Sequence, residues 1–374
     1  FLEYLGAATV NKPSNSDLYS AEMATFVKTF FELAVPDHFR YGFFIEGGAL
    51  AAENAITAAM DGKVRRNFAK GWRSERGHRV IHFEGAFHGR SGYTLSLTNT
   101  DPTKTRLFPK FPWPRVSTPG RHFPETPENL EATITAEELT LRQIRHALHE
   151  HEDDVCAILV EPILGEGGDI HLRPAFLQAL RTICDEEDVL LIFDEVQTGV
   201  GLTGQWWAHE TLSVQPDLMC FGKKMQVCGF LSGARIDSVE ENVFHRSSRI
   251  NSTWGGSLAD MVRATKYLEI IDEENLLDHA TSTGLRLLDA LREIAREVPE
   301  GTISQVRGLG LMCAFDLPST ESRDRLLRQL LQSGVVMVAS GQRSVRFRPA
   351  LNIQEAEVLK GVNIIARSLH EVLS

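Results

Sequence analysis

The sequence predicts an α/β fold, a mostly parallel sheet covered by helices on both faces, with a smaller α+β unit at its C-terminal end. Short β-rich runs alternate with helical patterns up to about residue 257. Those runs are apolar throughout, as in AILV and VLLIF, and do not alternate with polar residues. Strands covered on both faces read this way. Beyond residue 257 the text changes to long amphipathic helices with short strands between them, the pattern of a smaller mixed unit.

Taken in order, FLEYLGAATV (1–10) reads as a helix or strand that the chain enters abruptly. GFFIEG (42–47) is a strand, followed at once by a helix over 49–70. RVIHFEG (79–85) and AILVEP (157–162) are further strands, and a helix spans 174–187. VLLIFDE (189–195), DLMCFG (217–222) and FLSGARI (230–236) complete the apolar strands. Helices are then expected over 259–273, 278–297, 323–332 and 353–373. Short strands fall between them at SQVRGLG, LMCAFDL, VVMVAS and SVRFRP. The expected division is a remnant of an N-terminal segment at 1–20, a large domain at 21–260 and a small C-terminal domain at 261–374.

Composition narrows the function classes. Hydrophobic residues at 43% and charged residues at 24% exclude disorder, collagen and a disulfide scaffold as whole-chain readings. A net charge of −11 disfavours general nucleic-acid binding. No apolar run approaches the ~20 residues of a membrane span. Five cysteines, without a CxxC pair, read as reduced and mostly buried thiols of a cytosolic protein. No GxGxxG follows a strand, and neither GxxxxGK[ST] nor HExxH occurs, so the dinucleotide, P-loop and zinc-protease readings lose their main support. The acidic run HEHEDD (149–154) has metal-ligand residue types but reads as a solvated helix end.

Several residues could carry chemistry. Gly47, Gly48 and Ala49 stand between a strand and a helix, where small side chains and unpaired amides suit an anion such as phosphate. Asp194 and Glu195 end an apolar strand, at the edge where open α/β sheets bind ligands. A carboxylate there can pair with a cationic ring nitrogen. Lys223 and Lys224 follow the next strand, and a lysine desolvated in a cleft gives up its proton cheaply, as a Schiff-base lysine must. Arg90, Arg346 and Arg348 are candidate carboxylate clamps, the last two on one face of a strand. Each feature alone also has an ordinary reading as a tight turn, a surface acid, a solvated loop or a surface ion pair, and Phe87 and Val196 would pass as core. Together, and in this order, they supply partners for the phosphate, ring face, ring nitrogen and aldehyde of pyridoxal phosphate.

At this point the sequence resembles the class III aminotransferases among fold-type I pyridoxal-phosphate enzymes. The matching text is GAFHGRSGYTLSLT (85–98), VEPILGEGGD (160–169), LLIFDEVQTGVG (190–201), FGKK (221–224) and NSTWGG (251–256). Within the class it looks most like members acting on the ε-amino group of L-lysine. The likeness lies in NKPSNSDLYS (11–20), EGGALAAENA (46–55), SLTNTDPTKTRLFPKFPWPR (96–115) and GKKMQVCG (222–229). The resemblance implies a large domain with a mostly parallel seven-stranded sheet, and transfer of that amine to 2-oxoglutarate through pyridoxal 5'-phosphate. The products would be 2-aminoadipate 6-semialdehyde, which cyclises, and L-glutamate. It implies that Lys223 binds the cofactor's aldehyde and that Asp194 pairs with its ring nitrogen. Gln197 would bond the phenolic oxygen, Phe87 and Val196 would sandwich the ring, and Gly48 and Ala49 would donate to phosphate. Thr253 would reach the phosphate of a neighbouring subunit in a homodimer. On the substrate side it implies Arg90 and Arg346 as carboxylate clamps, Glu166 as a movable counter-charge for Arg346, and Asn251 as a further pocket residue. Family members begin several dozen residues earlier, which is why the first twenty residues read as a remnant. Leu164 departs from a Gln common in the class. The rival readings are an ω-aminotransferase for ornithine, acetylornithine or 4-aminobutyrate, a pyridoxal-phosphate racemase or decarboxylase, and a truncated non-catalytic homologue.

Overall fold

The computed structural model describes residues 1–11 and 13–373, so Lys12 of the 11–20 segment and Ser374 lie outside the described residues. A seven-stranded sheet forms the centre. In chain order its strands are β1 (Phe39–Ile45), β2 (Arg79–Phe83), β3 (Arg115–Val116), β4 (Val155–Val160), β7 (Leu190–Asp194), β8 (Leu218–Phe221) and β9 (Cys228–Gly233). The two-residue strands β5 (Ile163–Leu164) and β6 (Ile170–His171) pair with each other beside it. The spatial order is β1-β9-β8-β7-β4-β2-β3. The pairs β2–β3, β2–β4, β4–β7 and β7–β8 are parallel. β9 alone runs antiparallel to both of its neighbours.

The apolar runs are apolar because both faces are covered. Every residue of β4, β7, β8 and β9 is buried. Successive side chains of β4 enter opposite cores. Ile158 and Val160 pack with Ile144, Phe176 and Leu180 of the helices Pro127–Glu150 and Pro174–Glu186. Ala157 and Leu159 pack with Ala52, Ala55 and Ile56 of the helix Gly48–Ala69. Each buried Ile, Leu or Val contributes roughly 1.5–3 kcal/mol, so the two cores together fix the sheet between its helices.

The helix Pro127–Glu150 is well marked once seen. Thr126 accepts from the Asn129 amide and proline opens the first turn. The sequence reading reached only its acidic end. The helix ends there with His149, Glu150 and Glu152 exposed, as expected of a solvated end, while Asp153 pairs with Lys63 and Lys70, and Asp154 with Arg79. Among the described residues no group of side chains is arranged to hold a metal ion.

A second sheet, wholly antiparallel, has the order β10-β11-β13-β12. It comprises β10 (Ser304–Leu309), β11 (Met312–Asp316), β12 (Val338–Ser340) and β13 (Ser344–Arg346). The helices Leu276–Glu297, Thr320–Gln332 and Glu355–Leu373 pack on it through Leu287, Leu291, Leu326, Leu330, Val362 and Ile365. β12 and β13 are shorter than the runs VVMVAS and SVRFRP suggested. All five cysteines are free and buried. Among the described residues no helix is long and apolar enough to cross a membrane.

Candidate active site

Parallel pairing of β7 with β8 sets Asp194 opposite Cys220, so both strands end at the same edge of the sheet. Asp194 is the last residue of β7, and Lys223 lies just past the end of β8. Lys223 has a left-handed backbone, φ +50°. That conformation costs a residue with a side chain of order 1–3 kcal/mol, and such strain collects where function over-determines the backbone. Lys223, Lys224, Gln197, Arg346 and Arg348 line one cavity of about 560 Å³.

Asp194 is 5% exposed. Its Oδ1 accepts from the Val196 amide at 3.1 Å, and its Oδ2 lies 2.8 Å from Nδ1 of the buried His88. Beside them Glu161 is buried and accepts from the amides of Phe87 and Gly165. Burial pushes its carboxyl up to about 7, against the opposing pull of His88. Glu195, next to Asp194 in sequence, has an ordinary structural task. It accepts from the Ala208 and His209 amides and from Thr198. Burial works against its anion, but His209 and these donors outweigh that and leave its pKa below the usual value.

The 22-residue helix Gly48–Ala69 starts without a side-chain cap, after Gly47 at φ +87°. Its first amides are therefore open to an anion. The approach around it is tight. A Cβ on Gly48 would sit 3.0 Å from Val196, and one on Gly89 would sit 2.4 Å from the Ala49 side chain. The AFHGR turn carrying Phe87 and His88 is thus pressed against the helix start, and Val196 lies over it.

Arg346, at the end of β13, reaches the segment after β5. Its Nη1 donates to the Gly165 carbonyl at 3.0 Å and to Gln197 Oε1 at 3.5 Å, and its Nη2 lies 3.4 Å from Glu166 Oε2. Its Nε is buried without a partner among the described residues. Arg348 is committed elsewhere, held by both oxygens of the buried Asp169 at 2.9 and 2.5 Å. The candidacy of Arg348 as a substrate clamp is corrected accordingly. The Lys pair also divides, and the desolvation expected of the Schiff-base lysine is corrected, because Lys223 is exposed and the enclosed amine is that of Lys224. The Lys224 amine donates to the Gln197 carbonyl, and burial, with Arg348 and Lys223 nearby, lowers it to about 7.

Other singled-out residues lie apart from this cavity. Arg90 is exposed and makes no side-chain hydrogen bond or ion pair among the described residues. Asn251 is exposed and accepts from the Ser252 amide. Thr253 is exposed, accepts through its carbonyl from Ser14 Oγ at 2.5 Å, and lines a separate cavity of about 240 Å³ with Ala8 and Trp254. The sequence reading gave no role to His88, Glu161 or Lys104, although all three stand inside quoted text, at 85–98, 160–169 and 96–115. Their partners are distant in sequence, and no local spacing announces them.

These residues fit pyridoxal phosphate. An uncapped helix start suits the phosphate, a buried carboxylate at a strand end suits a protonated ring nitrogen, and a lysine at the adjacent strand end suits the aldehyde.

The aminotransferase class-III family matches residues 14–369. The L-lysine-epsilon aminotransferase of Mycobacterium bovis is 51% identical over 362 residues, 97% of this chain and 80% of that protein. The enzyme of the same name from Streptomyces clavuligerus is 47% identical over 373 residues, 100% of this chain and 81% of that protein. Among solved structures, the lysine aminotransferase from M. tuberculosis in its internal aldimine form superposes with a TM-score of 0.97 at 49% identity, covering 99% of this chain and 84% of that one.

Proposed function

We propose that this chain, which belongs to the class III aminotransferase family, is an L-lysine 6-aminotransferase that moves the ε-amino group of L-lysine to 2-oxoglutarate. The products are 2-aminoadipate 6-semialdehyde, which cyclises to a piperideine carboxylate, and L-glutamate. The cofactor is pyridoxal 5'-phosphate. The observation that carries this reading is the placement of Asp194 at the end of β7 and of Lys223 just past the end of its parallel neighbour β8. The likeness to two lysine enzymes along essentially the whole chain favours lysine over ornithine, acetylornithine or 4-aminobutyrate as donor.

When bound, the cofactor supplies an electron sink that stabilises negative charge on the carbon bearing the transferred amine. The open amides at Gly48 and Ala49 would hold its phosphate, Phe87 and Val196 would lie against its ring, and Gln197 would bond its phenolic oxygen. Asp194, oriented by His88 and the Val196 amide, would hold a proton on the ring nitrogen. Lys223 Nζ takes the proton from the ε-carbon of lysine as general base. Arg346 takes the α-carboxylate of 2-oxoglutarate. Its unpartnered buried Nε is a donor that such an anion would satisfy. Arg90 takes the carboxylate at the far end of either substrate, and Asn251 is a further pocket residue. With lysine bound, Glu166 neutralises Arg346, which in a partly desolvated pocket would be costly to leave unpaired.

The working form is a cytoplasmic homodimer in which Thr253 reaches the phosphate of the second subunit. The exposed position of Thr253 and Trp254 beside the Ala8 cavity supports this, as do five free cysteines. The large domain spans 21–260 and the small domain 261–374, with 1–20 belonging to an N-terminal segment. A donor panel of L-lysine, ornithine, acetylornithine and 4-aminobutyrate, each with 2-oxoglutarate, tests the substrate assignment. L-lysine should give the highest kcat/KM, and preference for any other donor would overturn it.

A further inference from the structure

Glu166 is not held by Arg346 alone. Its two carboxylate oxygens face two different cations. Oε2 lies 3.4 Å from Arg346 Nη2, while Oε1 lies only 2.6 Å from Lys104 Nζ. Lys104 is itself well placed. Its amine also donates to Thr100 Oγ1 at 3.2 Å and stands 5.3 Å from the centre of the Phe87 ring. All three charged side chains are mostly enclosed, Lys104 at 26% exposure, Glu166 at 28% and Arg346 at 16%.

The two contacts are unequal. A 2.6 Å charge-assisted bond is short and strong, whereas 3.4 Å is a loose pairing. Arg346 also keeps the Gly165 carbonyl and Gln197 Oε1 as acceptors, so losing Glu166 does not strip it of partners. A carboxylate released inside a partly desolvated pocket would pay heavily for its uncompensated charge. Glu166 avoids that cost only if a second cation retains it.

We propose that Lys104 is that second cation, a positioning residue that keeps Glu166 when a substrate carboxylate takes Arg346. This inference rests on the reading of Glu166 as a movable counter-charge. Lys104 thereby sets how readily the site accepts 2-oxoglutarate after it has served lysine. Without the amine, Glu166 has Arg346 as its sole cationic partner among the described residues. Lysine keeps the neutralised pocket it needs, and the keto acid must compete with a carboxylate that has nowhere to go.

The test uses the holoenzyme and two separate readouts. One is the dissociation constant of glutarate, an unreactive dicarboxylate, measured by calorimetry. The other is single-turnover kinetics of each half-reaction. Lys104→Met should weaken glutarate and raise the 2-oxoglutarate half-saturation about tenfold, with a clearly smaller change for L-lysine. Lys104→Arg should restore most of the loss. In a Glu166→Gln background the Lys104→Met effect should vanish, because there is no anion left to retain. Equal losses for both substrates, or a 2-oxoglutarate loss that persists in the Glu166→Gln background, would overturn the role of Lys104. Should Glu166→Gln by itself affect both half-reactions equally, the counter-charge reading underneath would fall, and this inference with it.

Discussion

Nδ1 of His88 lies 2.8 Å from Oδ2 of Asp194, and both side chains are closed off from solvent. Buried carboxylates need such partners, since an orphaned one pays its full desolvation cost. The pair also fixes which way Asp194 presents itself at the end of β7. His88→Ala should cost about 1–3 kcal/mol of stability, and thermal unfolding without added cofactor will register it. It should also loosen the cofactor, read as faster loss of bound pyridoxal phosphate on dialysis. Asp194→Asn keeps the shape and removes the charge. It should lower turnover by at least about a hundredfold while leaving the fold intact by circular dichroism.

In the proposed mechanism Glu166 neutralises Arg346 for one substrate and yields it to the other. Glu166→Ala should therefore slow the L-lysine half-reaction more than the 2-oxoglutarate half-reaction. Single-turnover measurements of the two halves will reveal the asymmetry, and equal slowing would contradict it.

Lys223 and Lys224 are adjacent but have different surroundings. Lys223→Ala should remove general-base help worth about 10²–10⁴ in rate, together with the covalent link to the cofactor. Lys224→Met should retain the link, detected as a reducible bond to pyridoxal phosphate after borohydride treatment and peptide mapping. A reducible bond mapped to Lys224 in the wild type would reverse the assignment.

The Lys224 amine also makes stability depend on pH. Burial lowers it from an ordinary 10.5 to about 7. Between those values the unfolded chain binds a proton that the folded chain does not, so this group lowers stability as pH falls from 10.5 to about 7. Below that range its contribution is constant. Relative to wild type, Lys224→Met should therefore gain stability as pH is lowered from about 10 to about 7 and gain no more below, measured as the difference in melting temperature without added cofactor.

Much of this was legible in the sequence because it depends on local pattern. β4 and β7 are buried on both faces, and their unbroken apolar text says so. The direction of β9 was not legible, since a strand covered on both faces looks the same either way up. The two-residue β3 inside the Pro-rich FPKFPWPR segment carries no periodicity to find. At the site, Asp194 and the Lys pair could be placed because strand ends are visible. The residues themselves did not separate Arg346 from Arg348, and only the family resemblance singled out Arg346, because what separates them in the fold is Asp169, 179 residues from Arg348. His88 and Lys104 were invisible for the same reason, with partners 106 and 62 residues away. A side chain's role here is set by what the fold brings to it across the chain.

The central claim is that Asp194, Lys223 and the start of the helix Gly48–Ala69 hold pyridoxal phosphate for a reaction with L-lysine. The visible absorption spectrum of the purified protein with pyridoxal phosphate, before and after L-lysine is added without a keto acid, tests it most directly. A protein-bound yellow band that bleaches on adding lysine and returns with 2-oxoglutarate is the expected result. A band that ignores lysine but bleaches with ornithine or 4-aminobutyrate would contradict the donor, and failure to form any bound band would contradict the cofactor site itself.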